Sequence, residues 1–382
     1  MEYYVDNSVQ VSGDGTSWGQ AWGSLAAIDW SVIGPGDVIR ISGGASQQTY
    51  QETLVVNASG NAEDGAVTIT RGIDPGHDGE VVISGDNERE YGVIIDDHDH
   101  VVVSCLQVEH ITEAGFRVRD ANAGVVLKGN AVYSGDPGGG NARGYDVRDS
   151  VGDNAVIVTG NSFSTPSHTT AQTDGIWSSG NDGVVFEKNY IVISNNDITG
   201  HSDGFQSFLD INITVRGNWF EQANTATTDN HGAWMENTRS GGLIRFHDNV
   251  VITPNLTDDA SVAHYRTEDW SENGAAEIWN NTIIGGETPI YLGNSPDATV
   301  YGNVIVTPAA MAAEAEVHSS DPAGTLQVDA LDSPDEEEGA TLFTTALEAG
   351  GPLPAEAVAD FAPAEAPAAG SMPCATEGIL FA

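Results

Sequence analysis

The stretch that decides the fold is Val125-Val-Leu-Lys-Gly-Asn130-Ala-Val132, because the chain repeats it. A short apolar strand, one or two small residues, an asparagine and another apolar pair return as Val156-Ile-Val-Thr-Gly-Asn161-Ser-Phe163, Ile191-Val-Ile-Ser-Asn-Asn196-Asp-Ile198 and Ile213-Thr-Val-Arg-Gly-Asn218-Trp-Phe220. They return again as Ile244-Arg-Phe-His-Asp-Asn249-Val-Val251, Ala276-Glu-Ile-Trp-Asn-Asn281-Thr-Ile283 and Thr299-Val-Tyr-Gly-Asn303-Val-Ile305. The asparagines are 31, 35, 22, 31, 32 and 22 residues apart, periods that point to a solenoid. Each repeat alternates apolar and polar residues, so one face of every strand is to be buried, yet a single repeat has nothing to bury it against. Stacked coils solve this, with parallel strands about 4.8 Å apart and the asparagine amides falling into a ladder. An asparagine also tolerates the left-handed conformation that joins two sheets.

Around this repeat the composition is that of a β protein: Gly, Asn, Asp, Ser and Thr beside Val and Ile, with little helical periodicity before residue 308. A net charge of -43, from 56 acidic residues against 13 Lys and Arg, excludes nucleic acid and anionic membranes as natural partners. It suits solubility at high salt, and so a marine or halophilic source. No stretch is long and apolar enough to span a bilayer, so membrane insertion is not expected. The opening Met1-Glu2-Tyr3-Tyr4-Val5 shows neither a basic start nor an apolar signal core. An extracellular role would then rest on a leader removed beforehand or on release within a virus particle. Cys105 lies in an apolar stretch that favours a buried free thiol, and whether it pairs with Cys374 is left open.

The opening phrases, Tyr3-Tyr-Val-Asp-Asn7, Asp14-Gly-Thr-Ser-Trp-Gly-Gln-Ala-Trp22 and Gly34-Pro-Gly-Asp-Val-Ile-Arg-Ile41, together with the asparagine repeat, resemble the pectate-lyase-like superfamily. The resemblance covers about residues 3 to 308. It implies an all-β right-handed parallel β-helix: residues 1–45 as N-terminal strand, capping helix and first coil, 46–308 as coils, and 309–382 as a C-terminal segment. That last segment is rich in Ala, Pro and Glu, as in Pro334-Asp-Glu-Glu-Glu-Gly339 and Ala364-Glu-Ala-Pro-Ala-Ala-Gly370. Leu342, Phe343, Leu353, Phe361 and Leu380 suggest that it drapes over the last coils as a cap, with a disordered tail as the rival reading. The resemblance is specific for fold and weak for activity, since the fold hosts lyases, hydrolases, epimerases, virus spikes and inert adhesins.

A second phrase precedes the asparagine strands: Gly115-Phe-Arg-Val-Arg119, Gly144-Tyr-Asp-Val-Arg148, Gly175-Ile-Trp-Ser-Ser179, Gly204-Phe-Gln-Ser-Phe208, Gly232-Ala-Trp-Met-Glu236, Val262-Ala-His-Tyr-Arg266 and Pro289-Ile-Tyr-Leu-Gly293. Alternation sends the second and fourth residues of each inward, Ala263 and Tyr265 among them. One outward column then reads Arg117, Asp146, Trp177, Gln206, Trp234, His264 and Tyr291, and its neighbour Arg119, Arg148, Ser179, Phe208, Glu236, Arg266 and Gly293. Aromatic faces interspersed with hydrogen-bonding groups suit sugar rings. Arg117, Arg119, Arg148 and Arg266 gather on this face of an acidic protein, which points to an acidic polysaccharide. The competing view pairs those arginines with stacked neighbours such as Asp146 and Glu236.

Catalysis is constrained by rung spacing. Asp146 and Glu236, three coils apart, would be about 14 Å from one another, beyond the roughly 5 to 9.5 Å that glycosidases need. Asp174 and Asp203 sit on adjacent coils and meet the retaining distance, although turn formation also explains an aspartate before glycine. For elimination, His264, Arg266 and Glu236 form the expected cluster, with Gln206, His201 and Asp203 beside it. The resemblance implies calcium as the candidate ion; Asp96-Asp-His-Asp-His100 and Asp258-Asp259 offer oxygens without a fixed ligand motif, and no cofactor is otherwise called for.

The reading that follows is a protein that binds, and in an enzymatic form depolymerises, an extracellular acidic polysaccharide. A virion tail spike or fibre is the first setting, with homotrimers and other virion proteins as partners. A secreted lyase or hydrolase of a marine microbe is the second, and a non-catalytic adhesive or structural solenoid the third.

Overall fold

The computed structural model describes residues 1–133, 142–165, 173–194, 202–222, 230–254, 260–265, 274–285, 288–293, 295, 297–306 and 318–319. Three parallel sheets of 11, 10 and 10 strands run the length of the molecule and close it into a parallel β-helix. Each coil contributes one strand to each sheet. A representative coil runs from Thr173–Ser179, in what we term the groove sheet, through Val185–Glu187 in the asparagine sheet to Tyr190–Ile193 in the third. Every strand pairs in parallel with its equivalents one coil away, as Val125–Lys128 does with Val156–Thr159. Side chains at period two fill the interior. Phe116 and Tyr145 stack at 5.4 Å, Phe220 and Phe246 at 6.2 Å, and all four are fully buried. Each such ring contributes about 1.5–3 kcal/mol of transfer free energy that a lone coil could not realise.

The asparagine ladder is present, with one member different from the expected one. It comprises Asn130, Asn161, Asn189, Asn218, Asn249, Asn281 and Asn303, all buried. From Asn130 to Asn281 each Nδ2 donates to the Oδ1 of the next asparagine, at 2.9 to 3.1 Å, and to a main-chain carbonyl, Val158 for Asn189, while Asn303 donates to the carbonyls of Ile278 and Tyr301. Asn189 therefore replaces Asn196, which lies outside the described residues, and the uneven spacings of 35 and 22 become 28 and 29. The left-handed conformation belongs not to the ladder asparagine but to the residue before it: Gly129, Gly160, Lys188, Gly217, Asp248, Asn280 and Gly302 all have φ between 52° and 62°. The asparagine is free to turn its amide inward because its neighbour takes the bend.

A shorter ladder joins the groove sheet to the asparagine sheet. Ser150 N–H donates to Asn181 Oδ1 at 3.0 Å, and Asn181 N–H to Asp210 Oδ1 at 2.7 Å. Asp210 is fully enclosed, and burial pushes its carboxyl up to about 6, against the hydrogen bonds from Ser178, Ser207 and Asn181.

At the N-terminus Glu2–Val5 pairs with Val38–Ile41 and starts the asparagine sheet. Between them stand three short 3-10 turns, Trp18–Gln20, Leu25–Ala27 and Trp30–Val32, in place of the expected capping helix. Leu25 and Ile28 bury themselves against the first coil, which a single turn suffices to do. Cys105 is disulfide-bonded, contrary to the expected free thiol. Cys374 and the proposed cap beyond residue 319 lie outside the described residues.

Candidate active site

The groove sheet carries the site, and glycine sets its geometry. Gly115, Gly144, Gly175, Gly204 and Gly232 stack at the corner where the chain enters this sheet. A Cβ on any of them would meet an inward side chain of the third sheet, Phe163 at 2.7 Å from Gly144 or Ile191 at 2.2 Å from Gly175. The bare corner lets the backbone bend, and the residue before each glycine is presented at the head of the sheet. Read along successive coils, those residues are Ala114, Arg143, Asp174, Asp203 and His231, with Ala114 in register with Arg143, Arg143 with Asp174 and Asp203 with His231.

This column is connected rung by rung. Arg143 Nε lies 3.6 Å from Asp174 Oδ2. Asp203 donates its backbone N–H to Asp174 Oδ1 at 3.2 Å, and His231 its backbone N–H to Asp203 Oδ1 at 3.0 Å. His231 Nδ1 is also 3.0 Å from that oxygen. Two carboxylates on adjacent rungs are thus flanked by a guanidinium on one side and an imidazole on the other. Their side chains are about 99% enclosed, so each charge acts at close range in a medium of low polarity.

Aromatic rings adjoin the column. The Arg143 guanidinium lies 4.5 Å from the centre of the Trp177 ring, and that of Arg148 5.7 Å. His231 packs on Trp234 within one strand at 4.3 Å, and Trp234 packs on Tyr265 at 5.6 Å and Tyr265 on Tyr291 at 6.3 Å across successive rungs. Trp177, Trp234, Tyr265 and Tyr291 are all partly exposed. Trp177 and Trp234 lie on one sheet two rungs apart, both in register with Gln206, which is 7% exposed between them.

The expected register holds through Glu236 and then slips by one residue. Ala263, not His264, pairs with Trp234 and Tyr291, and Tyr265 pairs with Glu236 and Gly293. His264 pairs with the buried Met235 and Leu292 and points into the coil, 2% exposed. Its Nε2 lies 2.9 Å from Thr238 Oγ1 and its Nδ1 2.9 Å from Ser295 Oγ. A histidine at an inward position contradicts hydrophobic alternation, but two hydroxyls satisfy both ring nitrogens. His264 therefore faces the interior and not the groove, and Tyr265 lies on the outer face instead of facing inward. Ala263, also expected inward, stands in the outward column and is covered.

The arginines are largely matched. Arg117 forms a bidentate pair with Asp96, its Nε at 3.1 Å. Arg148 clasps Asp146 at 2.6 and 2.9 Å, and Arg119 approaches the same carboxylate at 3.9 Å. Asp146, expected to face substrate, is 1% exposed beneath them. The competing view of these side chains thus holds for Asp146, while Glu236 accepts from Trp234 Nε1 at 3.3 Å and Asn237 Nδ2 at 3.1 Å instead. Phe208 is partly exposed in the second column. His201, Arg266, Asp258 and Asp259 lie outside the described residues. Asp99 of the acidic turn accepts the backbone N–H groups of Asn122 and Ala123, which is turn chemistry, and no cluster of three metal-binding side chains occurs among the described residues.

Reading the second phrase from its glycine concealed Arg143 and His231. One residue earlier, the heads of the strands spell Arg, Asp, Asp, His on consecutive coils, a signal present in the sequence.

No family model matches the chain, and no curated protein is similar to it at the level of sequence. Solved structures are similar in fold. A pectate lyase is 13% identical, with 79% of this chain and 78% of that one covered and a TM-score of 0.48. An endo-xylogalacturonan hydrolase from Aspergillus tubingensis is 12% identical, with 81% and 94% covered and a TM-score of 0.46. An alginate lyase from Paenibacillus sp. is 15% identical, with 74% and 93% covered and a TM-score of 0.43. All three are likenesses of the parallel β-helix.

Proposed function

We propose that this protein cleaves an extracellular polysaccharide by hydrolysis, with Asp174 and Asp203 as the working carboxylates. The observation that carries the reading is their placement on adjacent rungs at the head of the groove sheet, between Arg143 and His231 and beside Trp177 and Trp234. Equivalent positions one rung apart are about 4.8 Å from each other, within reach of a single glycosidic bond. One carboxyl protonates the leaving oxygen while the other, ionised, attacks the anomeric carbon; water then displaces that carboxylate, giving its proton to the first carboxyl. Arg143 stands beside Asp174 as a fixed positive charge, and His231 fixes the orientation of Asp203. Elimination has less support, because both ring nitrogens of His264 are held by the hydroxyls of Thr238 and Ser295.

The aromatic run from Trp234 to Tyr291 offers C–H stacking for pyranose rings along the helix axis. Of the arginines that suggested an acidic polymer, Arg117, Arg119 and Arg148 are paired with carboxylates of the same face, so the sugar class is read from the aromatic run. The same groove would serve a secreted enzyme or a virion protein that meets a host polysaccharide, and the chemistry is common to both settings.

The test is incubation of the full chain with a panel of uronic and neutral polysaccharides, followed by reducing-sugar release and by the ultraviolet absorbance of unsaturated ends. New reducing ends without unsaturation are expected, lost by about 10²- to 10⁴-fold in Asp174→Asn and Asp203→Asn. Unsaturated products, or turnover indifferent to both substitutions, would overturn the assignment.

A further inference from the structure

Cys105 ends the strand Val101–Ser104 of the asparagine sheet, with φ of 60°, and is disulfide-bonded. The chain holds one other cysteine, Cys374. On the outer face of the same sheet, Val102, Val126, Ile157 and Val185 stand in register on successive rungs, each partly exposed. The adjacent outer column reads Ser104, Lys128, Thr159 and Glu187, as alternation with water outside requires. An aliphatic column about 14 Å long is out of character on a protein with 56 acidic residues, and an exposed apolar stripe marks a covered surface.

We propose that Cys374 is the partner of Cys105 and that the bond seats the C-terminal segment, residues 320–382, along this column. The position of the tether supports that occupant. Cys105 follows Val102 by three residues, within about 11 Å along the chain. Cys374 is flanked by Met372, Ile379, Leu380 and Phe381, and the segment contains no Lys or Arg. Once tethered, such apolar residues are held at high effective concentration against the column and need little intrinsic affinity to stay there. Closing the bond converts two thiols to one disulfide, releases two protons and passes two electrons to a disulfide-exchange partner, chemistry of an oxidising compartment. The proposal stands independently of the hydrolytic reading.

Two measurements on the full chain test it. Purified without reductant and cleaved by a glutamate-specific protease, the monomer should yield one peptide pair joining Cys105 to Cys374, absent after reduction. Two alkylatable thiols in the unreduced, denatured protein, or a bond between cysteines of two copies, would overturn the pairing. Hydrogen exchange in residues 320–382 should be slow in the oxidised protein and rise about tenfold or more in Val126→Asp/Ile157→Asp with the bond intact. Cys374→Ser, which leaves the coils unaltered, should release the segment as well. Exchange equally fast in the parent and both variants would overturn the seating.

Discussion

Asp203 donates its backbone N–H to Asp174 Oδ1 across 3.2 Å, so each of the two carboxylates at the head of the groove sheet is held by the coil that follows it. The helix pitch, rather than a loop, thereby fixes their separation. Sites on rigid elements are held more closely than sites on loops, which is why the placement supports chemistry as well as binding.

In the proposed hydrolysis Arg143 and His231 act through these carboxylates. Arg143→Ala is expected to lower kcat by about 10- to 100-fold with a smaller change in KM, and Arg143→Lys to recover part of the loss. His231→Asn should lower kcat with a smaller change in KM, since the ring nitrogen that meets Asp203 Oδ1 at 3.0 Å is replaced. Steady-state kinetics on the variants checks this, and unchanged kcat in both Arg143→Ala and His231→Asn would make the column purely structural.

Trp234 is the centre of the aromatic run, between His231 and Tyr265. Trp234→Ala should weaken binding of an oligosaccharide by about 1–2 kcal/mol, read as a 5- to 30-fold rise in Kd by calorimetry, whereas Trp234→Phe should lose less. Unchanged affinity in Trp234→Ala would remove the groove from recognition.

Asp210 has a carboxyl raised from 3.8 to about 6 by burial. The folded state thus binds its proton more tightly than the unfolded chain. Its contribution to stability is full below 3.8 and is lost as pH rises through about 6. Asp210→Asn should remove that slope and stabilise the protein at pH 7 by roughly 1–3 kcal/mol, measured by denaturant melts at pH 4 and pH 7. A variant less stable than the parent at pH 7 would contradict the assignment.

Asn189 is the ladder member that spacing alone misplaced. Asn189→Ala leaves Asn161 N–H and Val158 C=O without their amide partner, at a cost of about 2–4 kcal/mol. Thermal unfolding of the variant reads this directly, and a loss below about 0.5 kcal/mol would show that the rung is dispensable.

The sequence by itself determined the solenoid. Alternation and the asparagine phrase are local, and each can be satisfied only by stacking, so the stacked coils and the outward Trp177 and Trp234 were legible residue by residue, while the third sheet was not. Tertiary structure alone decided which partners met. Nothing local distinguishes Asn189 from Asn196, or places His264 inside, because both depend on the rung above: an amide needs its neighbour's carbonyl, and a buried imidazole needs Thr238 and Ser295, which sit 26 and 31 residues away in the chain. The column Arg143, Asp174, Asp203 and His231 was written in the sequence. It became one connected column only when the helix pitch brought residues about 30 positions apart to about 4.8 Å.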